Sequence, residues 1–220
     1  MISILMPIYN GIEFIDQSVL SIIDQTYTNW ELIIAINGHP ENSDTYKRAK
    51  EFCDTTNPEK IRVFDFYNIK GKSKTLNQMI KYCTYDYIAL LDVDDIWHKD
   101  KLKIQSEYLD KYDVIGSSCI YFGDMNGIVP KIPLGDISNF DFKQVNPIIN
   151  SSVIIRKEFC HWDISGIDGV EDYDLWLRLR KHNKTFYNCK QILVKHRIHQ
   201  TSAYNAKGNN NLVDELLRKY

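Results

Sequence analysis

The sequence predicts an α/β fold in a single domain, with a mostly parallel central sheet flanked by helices. Through the first half of the chain, aliphatic runs of strand length alternate with segments that have helical spacing. Apolar residues make up 44% of the 220 residues, which is enough for a full core. This β-α-β-α order predicts parallel strands with helices on both faces of the sheet.

The predicted strands are short runs rich in aliphatic and aromatic residues, and several end at turn residues or at charges. Pro7 ends the first run, and Asn37 and Gly38 follow the second. The predicted strands cover residues 2–6, 30–36, 61–66, 85–91, 114–122, 151–155 and 192–198.

The predicted helices carry apolar residues at helical spacing, and Ser43 and Ser73 are in N-cap positions. Residues 123–146 contain three glycines and two prolines, which predicts loops with short elements. The predicted helices cover residues 13–23, 44–52, 74–82, 99–112, 172–182 and 212–220.

Charge and cysteine content indicate which partners and which cellular compartment to expect. A formal net charge of -2 gives no general attraction to nucleic acid, so no nucleic-acid partner is expected. Five widely spaced cysteines without a Cys-x-x-Cys pair predict reduced thiols in a cytoplasmic setting. The amino terminus lacks the basic region of a signal peptide, and no apolar stretch approaches the ~20 residues of a membrane span.

An apolar run over residues 87–91 ends abruptly in Asp92, Asp94 and Asp95. Carboxylates after a buried strand lie at the carboxyl edge of the sheet, where open α/β sheets bind ligands. Crowded like charges are unfavourable unless a cation neutralises them, and oxygen ligands suit Mg²⁺ or Mn²⁺. A solvated acidic turn is the alternative, but the apolar strand directly before the carboxylates favours a metal site.

Five short blocks, in order, resemble family 2 glycosyltransferases of the GT-A fold over about residues 2–202. That fold has a Rossmann-like sheet. The resemblance implies a transferase domain over residues 1–204, with a nucleotide-sugar half (1–122) and an acceptor half (123–204). A polar, glycine-containing stretch then predicts a linker and a C-terminal helix over residues 205–220. The blocks are Pro7-Ile8-Tyr9-Asn10, Gln25-Thr26-Tyr27 with Trp30-Glu31-Leu32-Ile33, Gly71-Lys72-Ser73 through Asn77, Asp92-Val93-Asp94-Asp95-Ile96-Trp97, and Glu171-Asp172-Tyr173-Asp174-Leu175-Trp176.

The resemblance implies a metal-dependent, inverting enzyme. It would transfer a sugar from a nucleotide sugar, with UDP as the expected nucleotide, to a hydroxyl of a glycan, a lipid-linked oligosaccharide or a protein. The resemblance implies that Asp94 ligates Mn²⁺ or Mg²⁺, that Asp92 faces the ribose or the metal, and that His199 approaches the metal. A metal is needed because a nucleoside diphosphate is a poor leaving group until its developing negative charge is stabilised.

The resemblance also implies donor contacts at the carboxyl edge of the sheet. Tyr9 would contact the uracil or the ribose, and a buried tyrosine is the competing interpretation. Lys74 would lie near the diphosphate at a helix N-terminus, with a solvated basic face as the alternative. The implied donor-binding residues are Pro7, Tyr9, Asn10, Asn37, Lys74, Asp92, Asp94 and Arg197.

One block departs from the family pattern. The family usually has Asp-Asp-Gly-Ser after the second strand, where this chain has Ile36-Asn37-Gly38-His39. Asn37 can hydrogen-bond a uracil edge, but Ile36 cannot. A base contact is therefore lost, or it comes from Asn10 or from the backbone, and GDP and dTDP donors stay open.

On the acceptor side, the resemblance makes Asp172 the general base that takes the proton of the attacking hydroxyl. Acidic residues at a helix N-terminus are also explained by the helix dipole alone. Asp95, Trp97 and Glu171 are assigned to sugar or acceptor contacts, with core packing as the alternative for Trp97.

Two other functions stay open at this point. A sugar-1-phosphate nucleotidyltransferase also needs a metal, but the single glycine of the first block argues against its glycine-rich loop. A binding module without turnover is motivated by Ile36 and opposed by intact Asp92, Asp94 and Asp172. A lipid-linked acceptor would bring the protein to a membrane surface.

Overall fold

The computed structural model describes residues 1–166, 169–200 and 210–220. Within them nine strands form one sheet, which confirms the α/β class. The strands are β1 (Ile2–Ile8), β2 (Trp30–Asn37), β3 (Ile61–Phe66), β4 (Tyr87–Leu90), β5 (Ile96–Trp97), β6 (Val114–Gly123), β7 (Gly135–Asp136), β8 (Ile154–Arg156) and β9 (Phe186–Ile198). The helices are α1 (Ile15–Ile23), α2 (Asp44–Thr56), α3 (Lys72–Met79), α4 (Lys101–Ser106), α5 (Glu171–Lys181) and α6 (Asn210–Leu217).

The first four strands of the sheet order, β3-β2-β1-β4, are parallel. In this half Ile4 lies beside Leu32 on one neighbour and beside Ala89 on the other. The carboxyl ends of these strands therefore meet at one edge of the sheet, where the turns after β1, β2 and β4 lie.

The second half of the sheet is mixed, continuing as β8-β6-β9-β5 with β7 paired to β9. β8 runs antiparallel to both β4 and β6, and β9 runs parallel to β6. β8 thus separates β4 from β6, although strands that follow one another in the chain usually lie side by side. The mostly parallel sheet predicted from the sequence is found in the first half.

Two cores lie on opposite faces of the sheet. Helices α1, α2 and α4 cover one face, with Ile15, Ala49 and Leu102 in its core. Helices α3, α5 and α6 cover the other, with Leu76 and Leu216 in its core. The strands supply both cores because successive side chains of a strand point to opposite faces.

Several boundaries differ from those predicted. The helix expected over 99–112 ends at Ser106, and the strand expected over 192–198 is the second part of β9, which begins at Phe186. Exposed polar residues within β9 interrupt the aliphatic pattern that sequence reasoning relies on. The two-residue strands β5 and β7 were not predicted. Of the predicted linker, residues 205–209 and the domain end at residue 204 lie outside the described residues, and α6 already begins at Asn210.

Among the described residues, no helix combines the length and the apolar character that a membrane span needs.

Candidate active site

Asp92 begins a tight turn directly after β4 and is held on both sides. Its carboxylate accepts hydrogen bonds from Lys72 Nζ at 2.6 Å and from Asn150 Nδ2 at 2.9 Å. Its amide donates to Ser151 Oγ at 3.1 Å. Burial opposes ionisation of this carboxyl, but the charge of Lys72 and both hydrogen bonds outweigh it and keep the pKa of Asp92 below its ordinary value.

Asp94 lies on the same turn and contacts the end of β9. His199 Nε2 is 2.9 Å from Asp94 Oδ2. Burial and the negative charges of Asp95 and Asp92 raise the pKa of Asp94, and the hydrogen bond from His199 works in the opposite direction. Burial and two neighbouring carboxylates thus disfavour the charged form of Asp94, which a bound cation would favour.

Glu171 and Asp172 begin α5 next to the same cation that holds Asp92. Lys72 Nζ lies 3.9 Å from Glu171 Oε1. Asn146 Nδ2 approaches Asp172 Oδ2 at 3.4 Å. Burial and the neighbouring Glu171 raise the pKa of Asp172 to about 6, although Lys72 opposes this shift.

Lys72 therefore joins the two acidic blocks that the sequence placed far apart. Burial disfavours its charge, but Asp92 and Glu171 outweigh burial and raise the pKa of Lys72 above its ordinary value. Lys72 is the first residue of α3, directly after Gly71, so its side chain reaches the carboxyl edge of the sheet. Lys74, which the resemblance placed near the diphosphate, lies two residues further along α3 and is exposed.

The predicted nucleobase region is built at the ends of β1 and β2. Tyr9 follows β1 and is 58% exposed, with its ring centroid 5.4 Å from that of His39. A Cβ at Gly38 would lie 2.9 Å from the Tyr9 ring, and Gly38 has φ +74°, so glycine is required there. Asn37 is only 3% exposed, whereas Asn10 is exposed. Pro7 lies within β1 beside Ala35 of β2.

Asp95 and Trp97 lie in the interior, which corrects their assignment to sugar or acceptor contacts. Asp95 is 0% exposed, and Trp97 is 4% exposed. The indole nitrogen of Trp97 donates to Ser151 O at 2.7 Å, and Lys101 Nζ covers its ring at 4.0 Å. Neither side chain presents a surface to a sugar.

Arg197 also has a different place from the donor contact expected. Its guanidinium carbon lies 4.2 Å from the ring centroids of both Phe14 and Phe122. Its Nε donates to Asp94 O at 2.8 Å, and a terminal nitrogen donates to Gln17 Oε1 at 2.7 Å. Arg197 thus fixes the turn that carries Asp94 instead of pointing its donors at the open edge.

Besides Lys72 and Ser151, sequence reasoning missed three polar residues that contact the predicted site. Asn146 and Asn150 come from the long segment before β8, where the sequence predicted loops, and His196 pairs with Asp95. The signal for His196 was available, since it lies in the same short motif as Arg197 and His199. Nothing local marks the two asparagines.

The side chains around Asp94 include few groups that could ligate a divalent metal. In the described ranges no group of three or more His, Cys, Asp or Glu side chains is arranged to hold a metal ion. Asp94 and His199 nevertheless bring a carboxylate oxygen and an imidazole nitrogen together. Metals that act on phosphates often take one or two protein ligands and complete their coordination with phosphate and water. Asp94 and His199 fit such a metal as its two protein ligands, whereas both oxygens of Asp92 are engaged by Lys72 and Asn150.

Comparison with known proteins identifies the family of this chain. Residues 3–209 match the family Glycosyl transferase family 2. Over 208 residues the chain is 30% identical to UDP-Glc:alpha-D-GlcNAc-diphosphoundecaprenol beta-1,3-glucosyltransferase WfgD of Escherichia coli, covering 92% of this chain and 79% of the relative. It is 26% identical over 215 residues to the O-antigen biosynthesis glycosyltransferase WbnJ of Escherichia coli, covering 92% and 81%.

Solved structures share the fold at low identity. S. aureus TarS 1-349 in complex with UDP-GlcNAc matches with a TM-score of 0.74 and 16% identity, covering 93% of this chain and 60% of TarS. Mannosyltransferase PcManGT from Pyrobaculum calidifontis in complex with GDP-Man and Mn²⁺ matches with a TM-score of 0.69 and 14% identity, covering 92% and 58%. The chain thus spans about 60% of the length of these two solved chains. Because the family match extends over nearly the whole sequence and spans all five short blocks, the protein belongs to glycosyl transferase family 2 and is an enzyme that transfers sugars.

Proposed function

We propose that this protein is a metal-dependent inverting glycosyltransferase that moves a sugar from a UDP-sugar to a hydroxyl of a glycan acceptor. One observation carries the proposal. Lys72 Nζ lies 2.6 Å from Asp92 and 3.9 Å from Glu171, so a single cation joins the predicted donor block to the predicted base block. A donor diphosphate and an acceptor hydroxyl would then meet beside one another, which is the proximity that group transfer requires.

The donor side needs positive charge where the nucleoside diphosphate leaves. Asp94 and His199 would hold Mn²⁺ or Mg²⁺, and the metal would stabilise negative charge on the leaving diphosphate. Lys72 lies within the same cluster and can stabilise a phosphate oxygen by exchanging one of its carboxylate partners. The raised pKa of Asp94 supports this assignment, because burial and the charges of Asp95 and Asp92 disfavour its ionised form and a bound cation would offset both.

The acceptor side needs a base that is ionised at neutral pH and still basic enough to take a proton. The pKa of Asp172, about 6, meets both conditions. As the acceptor oxygen attacks the anomeric carbon from the face opposite the diphosphate, Asp172 would accept its proton, and the configuration would invert. The transition state would resemble an oxocarbenium ion, as in glycosidases.

The expected nucleotide is UDP, with the exposed ring of Tyr9 as the surface for the base. Relatives support the choice of donor and acceptor class. The name of WfgD specifies a UDP-glucose donor and a diphosphoundecaprenol-linked acceptor. We infer that the acceptor of this protein is a lipid-linked glycan. A free glycan and a protein are the alternative acceptors. The family match supports transfer over the nucleotidyltransferase alternative.

Calorimetric titration of UDP, GDP and dTDP, each with Mn²⁺ and with EDTA, tests the donor assignment. UDP should bind in the presence of Mn²⁺ and lose most of its affinity in EDTA. Asp94→Ala should remove the metal-dependent part, whereas the control Asp54→Ala, on the exposed surface of α2, should not. Equal UDP affinity in the Asp94 variant would refute Asp94 as a metal ligand.

The base assignment is tested by transfer kinetics. Asp172→Asn should bind UDP like the wild type and lose transfer, typically by a factor of about 10² to 10⁴. A variant that transfers at the normal rate would rule out Asp172 as the base. A wild-type protein that binds UDP but neither transfers nor hydrolyses any UDP-sugar would favour the binding module that Ile36 motivates.

A further inference from the structure

Asp95 is a fully buried carboxylate whose two oxygens both bind the end of β9. Its Oδ1 accepts a hydrogen bond from the amide of Arg197 at 2.8 Å. Its Oδ2 lies 2.9 Å from Nδ1 of His196. With 0% exposure, this carboxylate has no open surface for a sugar or a metal. Both contacts cross from the turn after β4 to a strand about a hundred residues later in the chain.

A second set of contacts joins the same two segments. Arg197 lies between the rings of Phe14 and Phe122, and its Nε donates to the carbonyl of Asp94 at 2.8 Å. The turn is therefore tied to β9 through the carboxylate of Asp95 and through the backbone of Asp94. His199 follows Arg197 by two residues and reaches the Asp94 carboxylate from this fixed strand end.

His199 lies just beyond the last residue of β9, and its ring packs edge-on against Phe14, with the ring centroids 5.6 Å apart. Strand ends open more readily than strand centres, so the contacts of Asp95 and Arg197 add to those that hold this end in place. Removing the buried carboxylate would take a hydrogen-bond partner from the amide of Arg197 and from the imidazole of His196, both partly buried, which costs part of the desolvation penalty of each group.

We propose that Asp95 is a positioning residue that holds the end of β9 against the 92–95 turn, so that His199 stays beside Asp94. Its consequence for binding rests on the proposed function, in which Asp94 and His199 together hold a divalent cation on a nucleoside diphosphate. The structural part of the proposal does not depend on that function. Asp95 acts through His199 and Arg197 and does not touch the reacting atoms.

Asp113 offers a matched control at the other end of β9. Its carboxylate accepts hydrogen bonds from the amide and the hydroxyl of Thr185, at 2.9 Å and 3.0 Å, directly before β9 begins. Asp113→Ala thus removes two bonds that hold the start of the strand, together with an ion pair to Arg156 at 3.6 Å, at the opposite end of β9 from His199. Asp95→Asn is the conservative variant, because its amide oxygen can accept from Arg197 while its NH₂ donates to a neutral His196.

The experiment measures UDP affinity by calorimetry, with Mn²⁺ and with EDTA, for these variants. Asp95→Ala should weaken Mn²⁺-dependent UDP binding by about tenfold or more, since the ligand pair loses its fixed distance. Asp95→Asn should recover most of the affinity, and Asp113→Ala should match the wild type. Wild-type affinity in Asp95→Ala, or an equal loss in Asp113→Ala, would overturn the proposal.

Amide hydrogen exchange without nucleotide or metal gives a second, independent readout. Asp95→Ala should speed exchange at residues 196–199, whereas Asp113→Ala should do so only near the start of β9. Unchanged exchange at residues 196–199 would overturn the structural part. If wild-type protein fails to bind any nucleotide, the proposed function fails, and the exchange result still decides the role of Asp95.

His196→Ala keeps the proposal testable if Asp95→Ala does not fold. The His196 side chain is 36% exposed, so its removal leaves no deep cavity, and the bond from the Arg197 amide remains. The expected result is a smaller loss, about threefold, in Mn²⁺-dependent UDP affinity together with faster exchange at the strand end. Wild-type values for both would contradict the proposal.

Discussion

Replacing Lys101 with methionine should stabilise the protein. Lys101 is 0% exposed, and no described residue accepts a hydrogen bond from its Nζ. The ring of Trp97, 4.0 Å away, faces this nitrogen. Methionine has a similar length and flexibility and carries no charge, so it can occupy the same space in the core.

The magnitude follows from two opposed contributions. Burying an ammonium group costs several kcal/mol even after the protein relaxes. As long as the group keeps its proton, the Trp97 ring recovers about 2 kcal/mol of that cost, and a Lys101 that loses its proton on folding carries the cost of deprotonation instead. Since Met retains the packing and avoids the remaining cost, Lys101→Met should raise the free energy of unfolding by about 2 kcal/mol. For a chain of this length, that corresponds to a rise in Tm of about 5 °C.

The same lysine gives a pH signature. Burial lowers the pKa of Lys101 well below its ordinary value, and the thiol of Cys189 acts in the opposite direction. The folded state therefore binds fewer protons than the unfolded state, so stability should rise with pH up to the ordinary pKa of lysine. Each pH unit contributes at most about 1.4 kcal/mol. This contribution should be absent from Lys101→Met.

Urea denaturation at pH 7 and pH 9 measures both effects, with Lys103→Met as the control. Lys103 lies on the same helix, α4, and is exposed, so its replacement should change stability little. A Lys101→Met protein that is less stable than the wild type by more than about 1 kcal/mol would refute the argument. That result would mean that the ammonium group is stabilised by an interaction stronger than the Trp97 contact.

Three further predictions concern the site and the thiols. First, kcat/KM should fall as the pH drops below about 6, because the pKa of Asp172 is about 6 and only the ionised carboxylate can accept a proton; a rate that stays constant down to pH 5 would contradict this. Second, Lys72→Met removes a charge that lowers the pKa of Asp172, so the acid limb of the same profile should move to higher pH, while Lys81→Met, an exposed residue after α3, should leave it in place. Third, burial raises the pKa of the cysteine thiols, so native protein should react slowly with Ellman's reagent at pH 8, whereas all five thiols should react in denatured protein. Fast reaction of any thiol in native protein would contradict this prediction. These cysteines are Cys53, Cys83, Cys119, Cys160 and Cys189.

The parallel half of the sheet could be predicted because each of its strands is a short local run rich in aliphatic or aromatic residues. The run over residues 2–6 and that over residues 30–36 lie within β1 and β2. The mixed half could not be predicted in the same way. β8 is three residues long and inserts between β4 and β6, and this pairing depends on backbone hydrogen bonds between segments distant in sequence.

In the candidate site, too, some residues could be predicted from the sequence and others could not. The carboxylates after β4 and those at the start of α5 were identified from the sequence, and the structure joins both groups through Lys72. The choice of Lys72 over Lys74 was not available from the sequence, since both lie in one basic segment before or within α3. The helix position decides between them, because Lys72 begins the first turn at the sheet edge and Lys74 projects into solvent.

The sequence by itself determined the family, the α/β class and the carboxylates that end β4. Residue type and strand length are local properties, and together they place charge at the carboxyl edge of a parallel sheet. Only the tertiary structure gave Asp92, Asp94 and Asp95 three different roles. Consecutive side chains of a tight turn point in different directions, so each carboxylate meets whatever the rest of the fold supplies. Asp92 meets Lys72 and Asn150, Asp94 meets His199, and Asp95 is enclosed by the end of β9.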